Sequence, residues 1–291
     1  MKVLEHVLSW PKLILASDNN AGRNYDLWGQ NGPFPTDGGN PVVNMGYWKE
    51  ISVGEDHDLE RASNALFELV ARHAGFTAAD RLVLDIGCGF GTMAILCAER
   101  FGLARVVGVN VSGVQVATGR HFIAKAELED RVELLEAGAT ELPFADASVD
   151  KIVSVEAAFH FPTRERFFSE AARVLKPGGI LSMVDLCAPP PEGLLQSLSL
   201  KMLRHALQIP ADNIYAVPEY LRRMEGAGLE LLETESLYLL TFPHFRRWVL
   251  RNVLRMLPHT NVFFALASGG YFFYPWDYVR IKARKPIAIP D

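Results

Sequence analysis

The segment Val83-Leu84-Asp85-Ile86-Gly87-Cys88-Gly89-Phe90-Gly91 holds residue types that could bind a ligand closely. A short apolar run ends in glycines at alternate positions, which lets the backbone turn sharply and approach a bound molecule. The periodic stretch that follows predicts a helix whose unpaired N–H groups and positive end face the same molecule. A dinucleotide fingerprint requires Gly-x-Gly-x-x-Gly. Here the spacing is Gly-x-Gly-x-Gly, and Asp85 would be a poor neighbour for a pyrophosphate. An acidic residue at that point suits a ligand with an amino group and a second positive centre. Further along, Glu156-Ala157-Ala158-Phe159-His160-Phe161 sets a carboxylate and an imidazole close together. Imidazole, with a reference pKa of about 6.5, can move a proton near neutral pH. His160 also reads as a structural histidine packed between two phenylalanines, and Glu156 as a mere strand-end carboxylate.

These residues need elements to hold them. Apolar positions recur at helical spacing from His57 to Gly75, and Gly75 is a stop signal. Strand Leu82–Ile86, helix Thr92–Arg100, strand Arg105–Val109, helix Gly113–Leu128 and strand Val132–Leu135 follow. Then come strand Asp150–Val155, helix Arg164–Leu175, a turn at Lys176–Gly179 and strand Ile180–Asp185. Short apolar runs alternating with helices imply right-handed crossovers and a parallel sheet. Pro189-Pro190-Pro191 marks a boundary, after which residues 192–216 are irregularly helical. Helix Pro218–Ala227, strand Leu229–Leu237, helix Phe245–Leu257 and a strand near Tyr278–Ala283 complete the chain. In such sheets ligands sit beyond the carboxyl ends of the strands, so strand Asp150–Val155 delivers Glu156 and His160 to the working edge.

The run Asp85-Ile86-Gly87-Cys88-Gly89-Phe90-Gly91 resembles the first motif of class I S-adenosylmethionine-dependent methyltransferases, in their small-molecule branch. Later segments agree in order and spacing. Asn110, 25 positions after Asp85, stands with Val111 where that family contacts the ribose, usually through an acidic residue. An amide there can accept from one hydroxyl and donate to the other. Gln115 fits a further ribose contact and, equally, a capping box begun by Ser112. Gly138-Ala139-Thr140 resembles the family's adenine loop, with Gly138 in place of the usual Asp. Tyr25 and Gly46, in an aromatic-rich lead segment, match residues that close over the cofactor. Leu175-Lys176-Pro177-Gly178-Gly179 resembles a structural motif that follows the sheet helices. Glu156-x-x-x-His160 is similar to segments in macrolide-sugar O-methyltransferases and phenolphthiotriol methyltransferases.

The resemblance implies a doubly wound, mostly parallel seven-stranded α/β sheet. It divides the chain into a lid (1–56), a cofactor-binding core (57–187), a substrate cap (188–217) and a C-terminal part of the core (218–291). It also implies methyl transfer from S-adenosylmethionine to a small, bulky, apolar natural product. A hydroxyl oxygen is the expected acceptor, with His160 as general base and Glu156 contacting the cofactor or orienting His160. The alternatives are carbon methylation, as in sterol-type relatives where aromatic faces stabilise a cation, and a non-catalytic binding protein.

Composition limits the remaining choices. The net charge of −5 and the lack of basic blocks argue against a nucleic-acid partner. Amino-methylating relatives carry Asp-Pro-Pro-Tyr after the fourth strand, where this chain has Glu156-Ala157-Ala158-Phe159. His57 beside Asp56 and Asp58 opens a helix, and no other group has metal-ligand spacing, so no metal is expected. Cys88, Cys97 and Cys187 are unpaired thiols in this reading, which with the lack of a signal peptide or a membrane span points to the cytoplasm. Residues Met1–Leu15 are a candidate arm for docking on a second copy.

Overall fold

The computed structural model describes residues 44–256 and 274–287, together with Asp26 and Pro41. Helix α1 (Asp58–Ala74) precedes a repeating unit: β1 (Val83–Ile86), α2 (Thr92–Phe101), β2 (Val106–Asn110), α3 (Gly113–Lys125), β3 (Val132–Glu136) and β4 (Val149–Val155). A single-turn helix at Ala158–His160 leads to α4 (Arg164–Val174) and the long β5 (Leu175–Cys187). Helix α5 (Gly193–Leu207) and a short turn at Ala211–Asn213 form the insertion, and α6 (Val217–Gly226), β6 (Glu230–Ser236), α7 (Tyr238–Met256) and β7 (Asp277–Arg284) follow.

The strands form one seven-stranded sheet in the order β3-β2-β1-β4-β5-β7-β6. All pairings are parallel except the two made by β7. Central strands β1 and β2 are buried along their whole length, because helices cover both faces and leave no polar side to present. One core layer gathers Leu66, Val70, Met93, Ala94, Phe245 and Trp248. The opposite layer gathers Phe167, Phe168, Ala171, Tyr220 and Met224. Edge strand β6 is largely exposed and carries Glu230, Glu233 and Glu235 opposite Arg284, Lys282 and Arg280 of β7. Charges of this kind blunt an edge against further strand pairing. Between β1 and β4 the chain's progression across the sheet reverses, opening a crevice at their carboxyl ends.

Two boundaries differ from the sequence expectation. Lys176–Gly179 is not a turn ahead of the strand but lies within β5, where the register against β4 shifts between Val149 and Lys151. Gly178, at φ 82°, lets the strand bulge there without breaking. Helix α7 begins at Tyr238, well before Phe245, and contains Pro243. Pro243 lies in the second turn, where its missing N–H forgoes the bond to the Leu239 carbonyl, yet the helix runs through it. Tyr25, Trp28, Phe263, Phe264, Tyr271 to Phe273 and the arm Met1–Leu15 lie outside the described residues.

Candidate active site

The glycine turn is formed as its spacing demands. Gly87, Gly89 and Gly91 have φ values of 75°, 55° and 79°, a region that side chains with a Cβ rarely occupy. The Gly87 and Cys88 N–H groups both donate to the Val109 carbonyl, at 2.8 and 3.2 Å, tying the turn to the end of β2. A Cβ on Gly87 would fall 2.2 Å from the Ala157 Cβ. The glycine turn and the turn after β4 therefore touch, which brings the two groups picked out in the sequence into one crevice.

Asp85 lies just below this turn and is 2% exposed. The Ala94 N–H of α2 bonds to its carboxylate, but burial outweighs that bond and pushes the pKa up to about 7. Its Oδ2 has no hydrogen-bond partner. A buried carboxylate oxygen left unsatisfied is costly, and a cationic ligand over the turn would relieve it. The cradle and the orphaned oxygen fit S-adenosylmethionine, whose methionine end is cationic.

At the end of β2, Asn110 is nearly buried and Val111 is half exposed. The Asn110 Nδ2 donates to the Gly89 carbonyl at 3.2 Å and to Gln115 Oε1 at 2.8 Å, and its Oδ1 accepts from Val111 N–H at 2.9 Å. Both amide hydrogens are thus used within the protein. What remains for a ribose is acceptor capacity on Oδ1, not the accept-and-donate pair expected of an amide. Gln115 N–H donates to Ser112 Oγ at 3.2 Å, which is half of a capping box. The Gln115 side chain turns to Asn110 instead of completing that box, and its Nε2 has no partner. From the N-terminal segment, Asp26 accepts from Ser112 Oγ and from Val114 N–H, so a carboxylate caps α3 beside this corner.

Beyond β3, Gly138 is exposed and a Cβ there would meet nothing within 4 Å. Ala139 is buried and Thr140 half-buried beside it. The loop is braced from α4: Glu170 accepts from Leu142 N–H at 2.7 Å, and Arg173 donates to the Leu142 and Phe144 carbonyls.

The turn after β4 carries the proposed chemistry. Glu156 has φ 50°, and its Oε1 accepts from the Met45 N–H at 2.7 Å and from the Tyr278 hydroxyl. Its hydrogen bonds therefore run to the lead segment and to β7. The expected role of orienting His160 is not where these bonds go. Burial pushes the Glu156 carboxyl up to about 7, against the lowering effect of Tyr278 and Met45. His160 is half-buried, its ring 3.9 Å from that of Phe159. Burial pushes its pKa down to about 4, with Arg164 adding to the effect, while hydrogen bonds to the main chain of Gln208 and Leu207 oppose it. The imidazole is neutral at physiological pH.

A buried polar cluster behind this turn escaped the sequence reading. Arg164 pairs with Asp185 at 3.0 Å, donates to the Asn213 and Leu186 carbonyls, and packs against the rings of Tyr215 and Tyr220. Asp185 also accepts from Phe159 N–H at 3.2 Å and from Tyr220. The one available signal was Asp185 itself, an acid ending an otherwise apolar strand. Arg164 looked like an ordinary helix-start residue. Tyr278 sat in a strand pattern that reads as core.

The lead segment Asn44-Met45-Gly46-Tyr47-Trp48 is packed firmly. Trp48 is 1% exposed and donates to the Met45 carbonyl, and the Gly46 carbonyl accepts from Thr241. A Cβ on Gly46 would fall 2.7 Å from that of Ala62, so this glycine allows close approach to α1. Cys88, Cys97 and Cys187 are free and buried. Among the described residues no cluster could hold a metal ion, and no helix is long and apolar enough to cross a membrane.

Fold and crevice together define a doubly wound domain whose glycine turn suits a cationic amino-acid nucleoside, with Glu156 and His160 on the adjoining turn. Residues 84–183 match the family model described as a methyltransferase domain. The chain is 33% identical to 27-O-demethylrifamycin SV methyltransferase of Amycolatopsis mediterranei, covering 92% of this chain and 97% of that protein. It is 31% identical to erythromycin 3''-O-methyltransferase of Saccharopolyspora erythraea, covering 73% and 69%. A sterol 24-C-methyltransferase of Eremothecium gossypii is 40% identical over 48% of this chain and 36% of its own length. A solved geranyl diphosphate methyltransferase, in complex with GPP and sinefungin, superposes with a TM-score of 0.67 at 25% identity, over 78% of this chain and 81% of that one. The protein belongs to the class I S-adenosylmethionine-dependent methyltransferases. Its cofactor is S-adenosylmethionine.

Proposed function

We propose that this enzyme methylates a hydroxyl oxygen of a small, bulky, apolar natural product, with His160 as general base. The observation that carries the reading is the contact between Gly87 and Ala157, which sets the His160 turn directly against the cofactor turn. When bound, S-adenosylmethionine supplies an electrophilic methyl group. Asp85, Gly87, Gly89 and Gly91 would hold its methionine end. Asn110, Val111 and Gln115 would hold the ribose, and Gly138, Ala139 and Thr140 the adenine. Tyr25 belongs to the same proposed set.

The task left to the protein is to align the acceptor, exclude water and accept a proton. His160 is neutral and can take a proton from a hydroxyl as the oxygen gains positive character. Glu156, which accepts from Met45 N–H, would tie the lead segment to the turn that carries His160. The relatives that align along most of their length, named for rifamycin and erythromycin substrates, support oxygen methylation of a bulky natural product. Carbon methylation has support from the sterol relative, whose match covers a smaller part of that protein.

The test is turnover of a panel of hydroxylated macrolide and rifamycin-type acceptors, beside sterol and prenyl acceptors, with the new methyl located by NMR. His160→Ala should lose about 10²- to 10⁴-fold in kcat, the usual contribution of a general base, with cofactor binding intact. A carbon-bound methyl sinks the oxygen-methylation reading, and an alanine variant with undiminished turnover sinks His160 as its base.

A further inference from the structure

The insertion between β5 and α6 grips the His160 turn from more than one direction. The Asn213 Nδ2 donates to the Phe159 carbonyl at 3.1 Å and to the Phe161 carbonyl at 2.9 Å, the residues on either side of His160. The Asn213 Oδ1 accepts from Arg164 N–H at 3.3 Å. The imidazole itself is hydrogen-bonded to the main chain of Leu207 and Gln208, where α5 ends in the same insertion. From the sheet, Asp185 holds the Phe159 N–H while paired with Arg164.

Asn213 is 1% exposed, and its side chain bridges segments some 50 positions apart in the chain. A satisfied buried amide adds little net stability, because it gives up equivalent bonds to water. What it fixes is geometry, since any displacement leaves polar groups buried without partners. Its three bonds converge on the short stretch Phe159–Arg164 that presents the imidazole.

We propose that Asn213 is a positioning residue for His160, locking the turn that presents the imidazole to the substrate cap so that cap and base are set as one unit. The proposal deepens the oxygen-methylation reading and rests on His160 as its base. It follows that the insertion, which differs in position from the cofactor corner, determines how the base meets the acceptor. The charged group that acts on the imidazole is Arg164, which is itself paired with Asp185.

The test compares Asn213→Ala and Asn213→Asp with the unaltered enzyme. Aspartate keeps the shape but replaces the donating N–H groups by oxygen facing two carbonyls. Four quantities are measured: kcat, the KM for acceptor, the affinity for S-adenosylhomocysteine by calorimetry, and the His160 titration by NMR of the labelled imidazole. Both variants should lose about 10- to 100-fold in kcat, the scale expected for a misplaced reacting group, with S-adenosylhomocysteine affinity unchanged. The His160 midpoint should rise toward that of an ordinary imidazole as water reaches the ring. Asn213→Ser, which can restore one donor, should recover part of both effects and serves in place of alanine if that variant does not fold. Unaltered kcat and an unaltered His160 midpoint overturn the proposal, as does an activity loss that follows only the folded fraction. His160→Ala separates the two ideas: if it retains turnover while Asn213→Ala shifts the His160 midpoint, the base assignment fails and the positioning role stands. If His160→Ala is inactive and Asn213→Ala is normal, the positioning role alone fails.

Discussion

The cofactor corner and the base turn touch each other but are built by opposite means. The cofactor corner is made of backbone: Gly87, Gly89 and Gly91 in left-handed conformations, tied by main-chain bonds to Val109. The base turn is held by side chains from far along the chain, with Asp185 and Asn213 on its main chain and Tyr278 on Glu156, while Arg164 is paired with Asp185. On the proposed reading, a backbone cradle tolerates Asn110 and Gly138 where the family usually has acids, because main-chain groups would do the gripping. A side-chain clamp depends on each member, since removing one leaves another buried and unpaired. Deleting one partner of the buried Arg164–Asp185 pair should cost about 3–5 kcal/mol for that reason.

The contrast is sharpest at Gly87. Gly87→Ala must fit a Cβ 2.2 Å from that of Ala157 at a φ of 75°, so both turns are forced apart. The expected result is loss of measurable S-adenosylhomocysteine binding by calorimetry and of turnover together. Retained binding would show that the cradle is softer than its geometry implies. Glu156 probes the clamp at its lid. Glu156→Gln keeps an acceptor for Met45 and Tyr278 and should bind cofactor nearly as well as the native protein, whereas Glu156→Ala should weaken binding by about tenfold, the worth of one charge-assisted bond. Equal losses in the two variants would mean that the charge, not the hydrogen bonds, matters.

Proton linkage gives an intermediate effect. Asp85 and Glu156, both raised to about 7, keep protons in the folded free enzyme that they lose in the unfolded chain between the ordinary carboxylate range and pH 7. Their contribution to stability should therefore fall as pH rises through that window, while His160, lowered to about 4, contributes in the opposite sense. A cationic ligand favours ionised Asp85, so cofactor affinity should rise over the same window, with proton release on binding. Calorimetry in buffers of different ionisation enthalpy measures that release. Asp85→Asn should abolish the Asp85 share of it, and unchanged release would place the proton elsewhere. The smallest effect is expected at Gly138. Gly138→Asp meets no neighbour and should tighten cofactor binding by a few fold, the value of one exposed hydrogen bond to the adenine amino group. Weaker binding would show that the loop does not face the adenine.

Much of the fold is legible because its signals are local. Strand β1 announces itself as a buried apolar run, Gly87 to Gly91 as a turn, and α3 by its Ser112 cap. Errors fell where tertiary pairing overrides local chemistry. Lys176-Pro177-Gly178-Gly179 has turn composition, yet pairing of Leu175 with Val149 and of Ile180 with Lys151 and Arg284, with main-chain bonds of Gly178 and Gly179 with Lys285, keeps it within β5. Asn110 ends β2 close to where the sequence pattern ends that strand, but its commitment to Gly89 and Gln115 depends on how two loops meet.

By itself, the amino-acid order determined the sheet, the cofactor turn and the choice of Glu156 and His160 as the groups at its edge, because each follows from residues a few positions apart. Only the three-dimensional structure decided what holds those groups and how strongly they bind protons. A pKa depends on burial and on neighbours such as Tyr278 and Met45 at Glu156 and Gln208 at His160, which are distant in the chain and meet only once it has folded.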